Sequence, residues 1–144
     1  MVRSTLSEVL LACLFEGGLG LVLFGHGGRA AVIGFRCFTS ASALGACEGG
    51  RARHPAGQAL VMAGEFNSST THPGFRKVVD RMTDAHRAAG QGWVRTWPIG
   101  SRVPPLIQLD HVLMRGLEVV DAGTVTIADT DHRAIWARLS PHRP

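Results

Sequence analysis

The sequence has only one lysine, Lys77, so its basic balance rests almost wholly on arginine. Net charge is +4 and the isoelectric point is near 9.8. That balance permits attraction to phosphate-rich partners, but an arginine bias of this kind reflects codon composition more often than a nucleic-acid surface. Cysteine is scarce too. Cys13, Cys37 and Cys47 are odd in number and follow neither a zinc nor a disulfide spacing, which excludes a stapled scaffold and a zinc module. Aspartate is missing from the first 79 residues, and all six aspartates fall between Asp80 and Asp131. Charged residues make up 18% and apolar residues 45% of 144 positions, an ordinary globular balance with room for one domain.

The two parts of the chain read differently. Eleven of the 18 glycines lie at or before Gly57, and from Gly25 to Gly57 no helical or strand period persists. A boundary near residue 57 follows, with residues 25 to 57 expected to be poorly ordered. Leu6 to Phe24 is apolar enough to suggest a membrane helix or a signal-peptide core. Glu8, Glu16 and three glycines within it argue against both, because a mid-span carboxylate costs a few kcal/mol to insert. A cytoplasmic location is therefore favoured over membrane association through residues 6 to 24.

From Gln58 onward, strands and helices alternate. Ala59 to Ala63 is a continuous apolar run suited to a buried strand, ending in Gly64-Glu65-Phe66-Asn67. Pro73 suits a first helical turn, and Phe75, Val78, Val79 and Met82 recur at helical spacing. Thr83 or Asp84 can cap a second short helix that closes at Gly90. Leu106 to Met114 alternates as a strand, with His111 on one face and Asp110 on the other. Leu117 to Ile127 is β-prone with Gly123 as a bend, and a last strand runs from His132 to Leu139 after the turn Asp129-Thr130-Asp131.

Three stretches set polar groups at or near strand ends: Gly64-Glu65-Phe66-Asn67, Leu109-Asp110-His111-Val112 and Asp129-Thr130-Asp131-His132. An imidazole oriented by a carboxylate is a good base near neutral pH, since the carboxylate fixes the tautomer and stabilises the cation. His132 is the natural imidazole and Asp110 the natural orienter. His111, on an apolar face, is expected to be packed; His26, His54, His72, His86 and His142 show no ligand spacing and are expected to be solvated or incidental.

In their order, and with Trp97-Pro98 between them, these stretches resemble the second half of the endonuclease/exonuclease/phosphatase family, the deoxyribonuclease I-like phosphodiesterases. The resemblance covers about residues 58 to 140. It implies an α+β fold: half of a four-layer α/β sandwich, with a mixed, largely antiparallel sheet and one or two helices. It implies His132 and Asp110 as the base pair, Asn67 as the amide on phosphate or water, and Glu65 in place of the family's water-aligning Asp. Asp131 would lie close to a Mg²⁺ or Mn²⁺ ion. The substrate would be a phosphate ester: nucleic acid, phospholipid or small phosphoester.

Two departures follow from the same comparison. Glu65 is one methylene longer than the family residue. The family's first half, with its metal-binding Glu, has no counterpart before Gln58, where Glu8, Glu16 and Glu48 are the only acids. The chain is thus expected to be a truncated or frame-disrupted relative whose remaining sheet leaves an apolar face uncovered. It would act either as a hydrolase of reduced activity or as an inactive remnant serving as an interaction module.

Overall fold

The computed structural model describes residues 59–141 in full, together with the backbone of three short strands nearer the N-terminus. Those are β1 (Val9–Cys13), β2 (Leu21–Leu23) and β3 (Ala31–Gly34). There follow β4 (Leu60–Glu65), helix α1 (Pro73–Val79), β5 (Thr83–Asp84), helix α2 (Ala85–Ala88), β6 (Asp110–Arg115), β7 (Leu117–Thr126) and β8 (Arg133–Pro141).

They form two sheets. One is mixed, in the order β3-β4-β6-β5, with β3 parallel to β4 and the other neighbours antiparallel. The second is antiparallel throughout, in the order β2-β1-β8-β7. The chain passes from one sheet to the other at Gly116, whose φ of +68° favours glycine. A Cβ there would also stand 3.4 Å from the Ala59 backbone.

Alternation along the strands decides what each face buries. Val61 and Ala63 of β4, with Val112 and Met114 of β6, point toward the second sheet and meet Ala122, Ile135, Ala137 and Leu139. Leu60, Met62 and Leu113 point the other way, onto Phe66 and the Phe75 and Val78 face of α1. Helix α1, the mixed sheet and the antiparallel sheet are three successive layers. Each large side chain fully buried between them contributes roughly 1.5–3 kcal/mol. The class is α+β, as the strand and helix patterns indicate.

Several boundaries differ from the sequence reading. The expectation of an uncovered apolar face is overturned, because β7 and β8 fold back over β4 and β6 and bury it. Three strands from before residue 35 lengthen both sheets, although that region shows no alternation. The boundary near residue 57 falls outside the described residues, and so does the stretch expected to be poorly ordered, residues 25 to 57, apart from β3, where the strand overturns that expectation. Gly123 is not a bend: β7 runs through it, and the irregularity lies between Val119 and Asp121. The residues from Leu106 to Leu109 form no regular strand; Ile107 makes an isolated bridge to Trp97 instead. Among the described residues no helix is long and apolar enough to cross a membrane.

Candidate active site

The register of β4 on β6 sets Glu65 directly opposite Asp110, so both carboxylates leave the same face at the same edge. The pairing continues one step further through Phe66 N–H donating to Leu109 O at 2.9 Å. That face looks toward the second sheet, and the residue immediately before β8 is His132. Asp110 is fully buried and His132 is 8% exposed. His132 Nδ1 lies 2.8 Å from Asp110 Oδ2. Its other nitrogen, Nε2, lies 3.9 Å from Glu65 Oε1 and 4.0 Å from Asp131 Oδ1.

Two neighbouring residues, Thr96 and Trp97, hold this arrangement. Thr96, with no exposed surface, accepts from Leu109 N–H on its hydroxyl at 3.1 Å and from Arg133 N–H on its carbonyl at 2.9 Å. It therefore ties the approach to β6 to the start of β8, fixing Asp110 and His132 relative to each other. Trp97 does the same for the acid: its indole N–H donates to Asp131 Oδ2 at 2.9 Å, and Ile99 N–H donates to Asp131 O at 2.8 Å. The Trp97–Pro98 peptide is cis. Thr130 Oγ1 accepts from His132 N–H at 3.1 Å, completing the turn. The chain marks Trp97 through its Trp-Pro pair, but nothing in the sequence distinguishes Thr96 from other loop threonines.

Asn67 adopts φ +47°, a left-handed conformation that asparagine tolerates better than most residues. Its side chain hydrogen-bonds Glu65. The five residues singled out from the sequence, Glu65, Asn67, Asp110, Asp131 and His132, are thus gathered at one edge. His132 is their centre.

The electrostatics follow from burial and neighbours. Burial alone would lower the His132 pKa, but the Asp110 hydrogen bond and charge, with Glu65 and Asp131, outweigh it and raise the ring above its ordinary value. Glu65 is also raised. Desolvation is the main cause, partly opposed by His132 and by the Asn67 hydrogen bond and reinforced by Asp110 and Asp131. Asp110 Oδ1 is buried without a hydrogen-bond partner.

A second histidine–carboxylate pair occupies the opposite face of β6. His111 Nδ1 lies 2.9 Å from Asp84 Oδ2, and its Nε2 lies 3.1 Å from the Ser68 carbonyl. Its ring packs against Phe75 and Phe66, with centroids 4.5 and 5.8 Å away. His111 is packed, as its strand face suggests, and fully hydrogen-bonded as well. Asp84 caps α2 through His86 and Arg87 N–H groups and accepts from Gln108 Nε2 at 3.2 Å. Gln108 also donates to the Asp110 carbonyl at 3.2 Å, so the two pairs share a link. His86 is a correction: it is fully buried, with Nε2 3.1 Å from the Gly123 carbonyl, because the short α2 turns it into the core.

The sequence matches no protein-family model and no curated protein. Solved structures do match. A functionally unknown conserved protein from Enterococcus faecalis V583 superposes with a TM-score of 0.66 at 17% identity, over 85% of this chain and 55% of that one. An endonuclease/exonuclease/phosphatase from Bacteroides vulgatus gives 0.58 at 16% identity, over 71% and 44%. The fold is that of the endonuclease/exonuclease/phosphatase family. A further such protein, from Beutenbergia cavernae DSM 12333, gives 0.51 at 17% identity over 76% and 36%. This chain spans about half or less of the length of each. It has that fold in part, and its histidine–carboxylate pair sits at one edge of it.

Proposed function

We infer that the chain carries the base half of a phosphoester hydrolase site. The observation that supports this reading is the 2.8 Å contact between His132 Nδ1 and the fully buried Asp110 carboxylate, with Nε2 left facing Glu65. In the neutral tautomer whose Nδ1–H donates to Asp110, Nε2 is the basic, proton-accepting nitrogen. It can take a proton from a water placed between itself and Glu65, while the water oxygen attacks phosphorus. Asn67 and Glu65 would orient that water.

The family resemblance implies a divalent cation near Asp131. The donor set fits poorly: among the described residues no three His, Cys, Asp or Glu side chains form a group that could hold one. Asp131 is committed to Trp97 on one oxygen. Magnesium needs several hard oxygen ligands, more than the described side chains gather at this edge.

That poor fit, and the coverage of only about half of the matched chains, favours a second reading: a catalytically inactive remnant whose preserved half-fold serves as an interaction module. Hydrolysis of bis-p-nitrophenyl phosphate by the purified chain separates the two. The first reading expects slow hydrolysis that His132→Ala abolishes. Turnover indistinguishable from the His132→Ala variant, with and without added magnesium, would leave only the second.

A further inference from the structure

The stretch from Gly90 to Gln108 has a composition that its position does not require. Trp97 pairs with Leu106 and Ile107 through N–H donors at 2.9 and 3.1 Å onto its carbonyl, closing a hairpin-like excursion. Large apolar side chains on and beside that excursion stand in water: Trp93 is 58% exposed, Leu106 52%, Val103 47% and Ile107 39%. Leaving four such groups of one loop in water forgoes the stabilisation of burial, and a loop that exposes several large apolar side chains is a candidate interaction site.

Its charge is of one sign. No acidic residue lies between Asp84 and Asp110, whereas Arg95 and Arg102 are both exposed. The base of the excursion is also the element that holds Asp131, through the Trp97 indole and the Ile99 N–H. The loop is therefore anchored at its base to the residue that precedes His132.

We propose that this loop docks on an anionic phospholipid surface. An indole beside aliphatic side chains and arginines suits the lipid headgroup boundary, where the apolar groups leave water while the guanidinium groups stay with phosphate. Each arginine near an anionic leaflet gains further attraction. Single-stranded nucleic acid would use the tryptophan and the arginines but would gain little from Val103, Leu106 and Ile107, which offer no aromatic face for a base. The aliphatic share decides for lipid. The docking is separate from hydrolysis and from the N-terminal apolar segment.

The test is co-sedimentation of the full chain with vesicles of phosphatidylcholine alone and of phosphatidylcholine with about one third phosphatidylserine. The expected result is binding to the mixed vesicles only. It should weaken on the order of tenfold in a Trp93→Ser, Val103→Ser, Leu106→Ser variant, and comparably in Arg95→Gln, Arg102→Gln. Tryptophan fluorescence of the unsubstituted chain should be quenched by lipids brominated near the headgroup, a readout independent of how the variants fold. Absence of binding and quenching, or binding that well-folded loop variants retain in full, would overturn the proposal. So would displacement of the bound chain by a single-stranded oligonucleotide with loss of that competition in the serine variant, which would assign the loop to nucleic acid.

Discussion

Asp110 and His111 are neighbours in the chain, yet their side chains enter opposite layers of the fold, and each makes a histidine–carboxylate hydrogen bond there. Asp110 meets His132 at 2.8 Å between the sheets, and His111 meets Asp84 at 2.9 Å beneath α1. The period-two alternation of β6 separates them, and Gln108 bonds to both Asp84 and the Asp110 carbonyl. Disturbance of one pair should therefore reach the other through Gln108.

Asp84 is the more consequential residue for stability. Its carboxylate serves His111, Gln108 and two α2 N–H groups, so Asp84→Ala strands several buried donors at once. The expected loss is about 2–4 kcal/mol in a urea denaturation experiment. Asp84→Asn should lose less, because the amide oxygen can still cap the helix.

Acid should act through the same group. Burial would raise Asp84, but the His111 hydrogen bond and charge, the Arg87 N–H and His86 together hold it below its ordinary value. A depressed carboxylate contributes stability that is present above its unfolded-state pKa and is lost as pH falls through its folded-state value. Thermal unfolding followed from pH 5 downward should show that loss, and Asp84→Asn should show a flatter profile.

The His132 ring should titrate above an ordinary histidine, and Asp110→Asn should bring it down. Its chemical shifts followed by NMR check this. The sign of the linked stability is opposite to that of Asp84: a raised histidine stabilises fully below its unfolded-state pKa and loses that contribution as pH rises through the folded-state value. If the chain hydrolyses phosphoesters, the acid limb of its rate profile should track the same titration, since the base must be neutral.

Glu65→Asp should change hydrolysis by less than about tenfold. The shorter side chain restores the water-aligning geometry that the family resemblance implies, but it adds no cation ligand. Rates measured with magnesium and after EDTA treatment should likewise differ little. Robust turnover abolished by EDTA would show that a residue outside the described ones, Glu48 foremost, completes a metal site.

Gly123→Ala should destabilise the second sheet. A Cβ at that position would stand 2.8 Å from the Trp136 ring across the β7–β8 pair, too close for a rigid indole to accommodate without moving. A cost of about 1–3 kcal/mol is expected, with partial recovery when Trp136→Leu is added, measured as urea midpoints.

How far the sequence disclosed this structure depended on whether the signal was local. Helix α1 was legible from Pro73, Phe75 and Val78, and the Asp84 cap from its own side chain, because caps and apolar spacing are decided within a turn or two. The approach of Asp110 to His132 was suggested by their strand-end positions and supported by likeness to a family, since the two residues lie far apart in the chain. Strands β1 to β3 were not legible, since a short strand is defined by its neighbours: β1 reads as an apolar run until β2 and β8 pair on either side of it, with Leu11 opposite Val22 and Ala137. Thr96 was invisible for the same reason, its two hydrogen bonds joining segments far apart in the chain.

The irregularity between Val119 and Asp121 has a bearing on how the molecule behaves in a crowded solution. Among the described residues β7 is the outermost strand of its sheet, and an edge strand offers N–H and C=O groups to a passing chain. The shift of register there, with Glu118 and Asp121 exposed around it, breaks the continuous ladder that a second copy would need for edge-to-edge growth. Exposed Val120 and Val125 would otherwise make that edge adhesive. An interrupted edge of this kind is a poor template for a second copy.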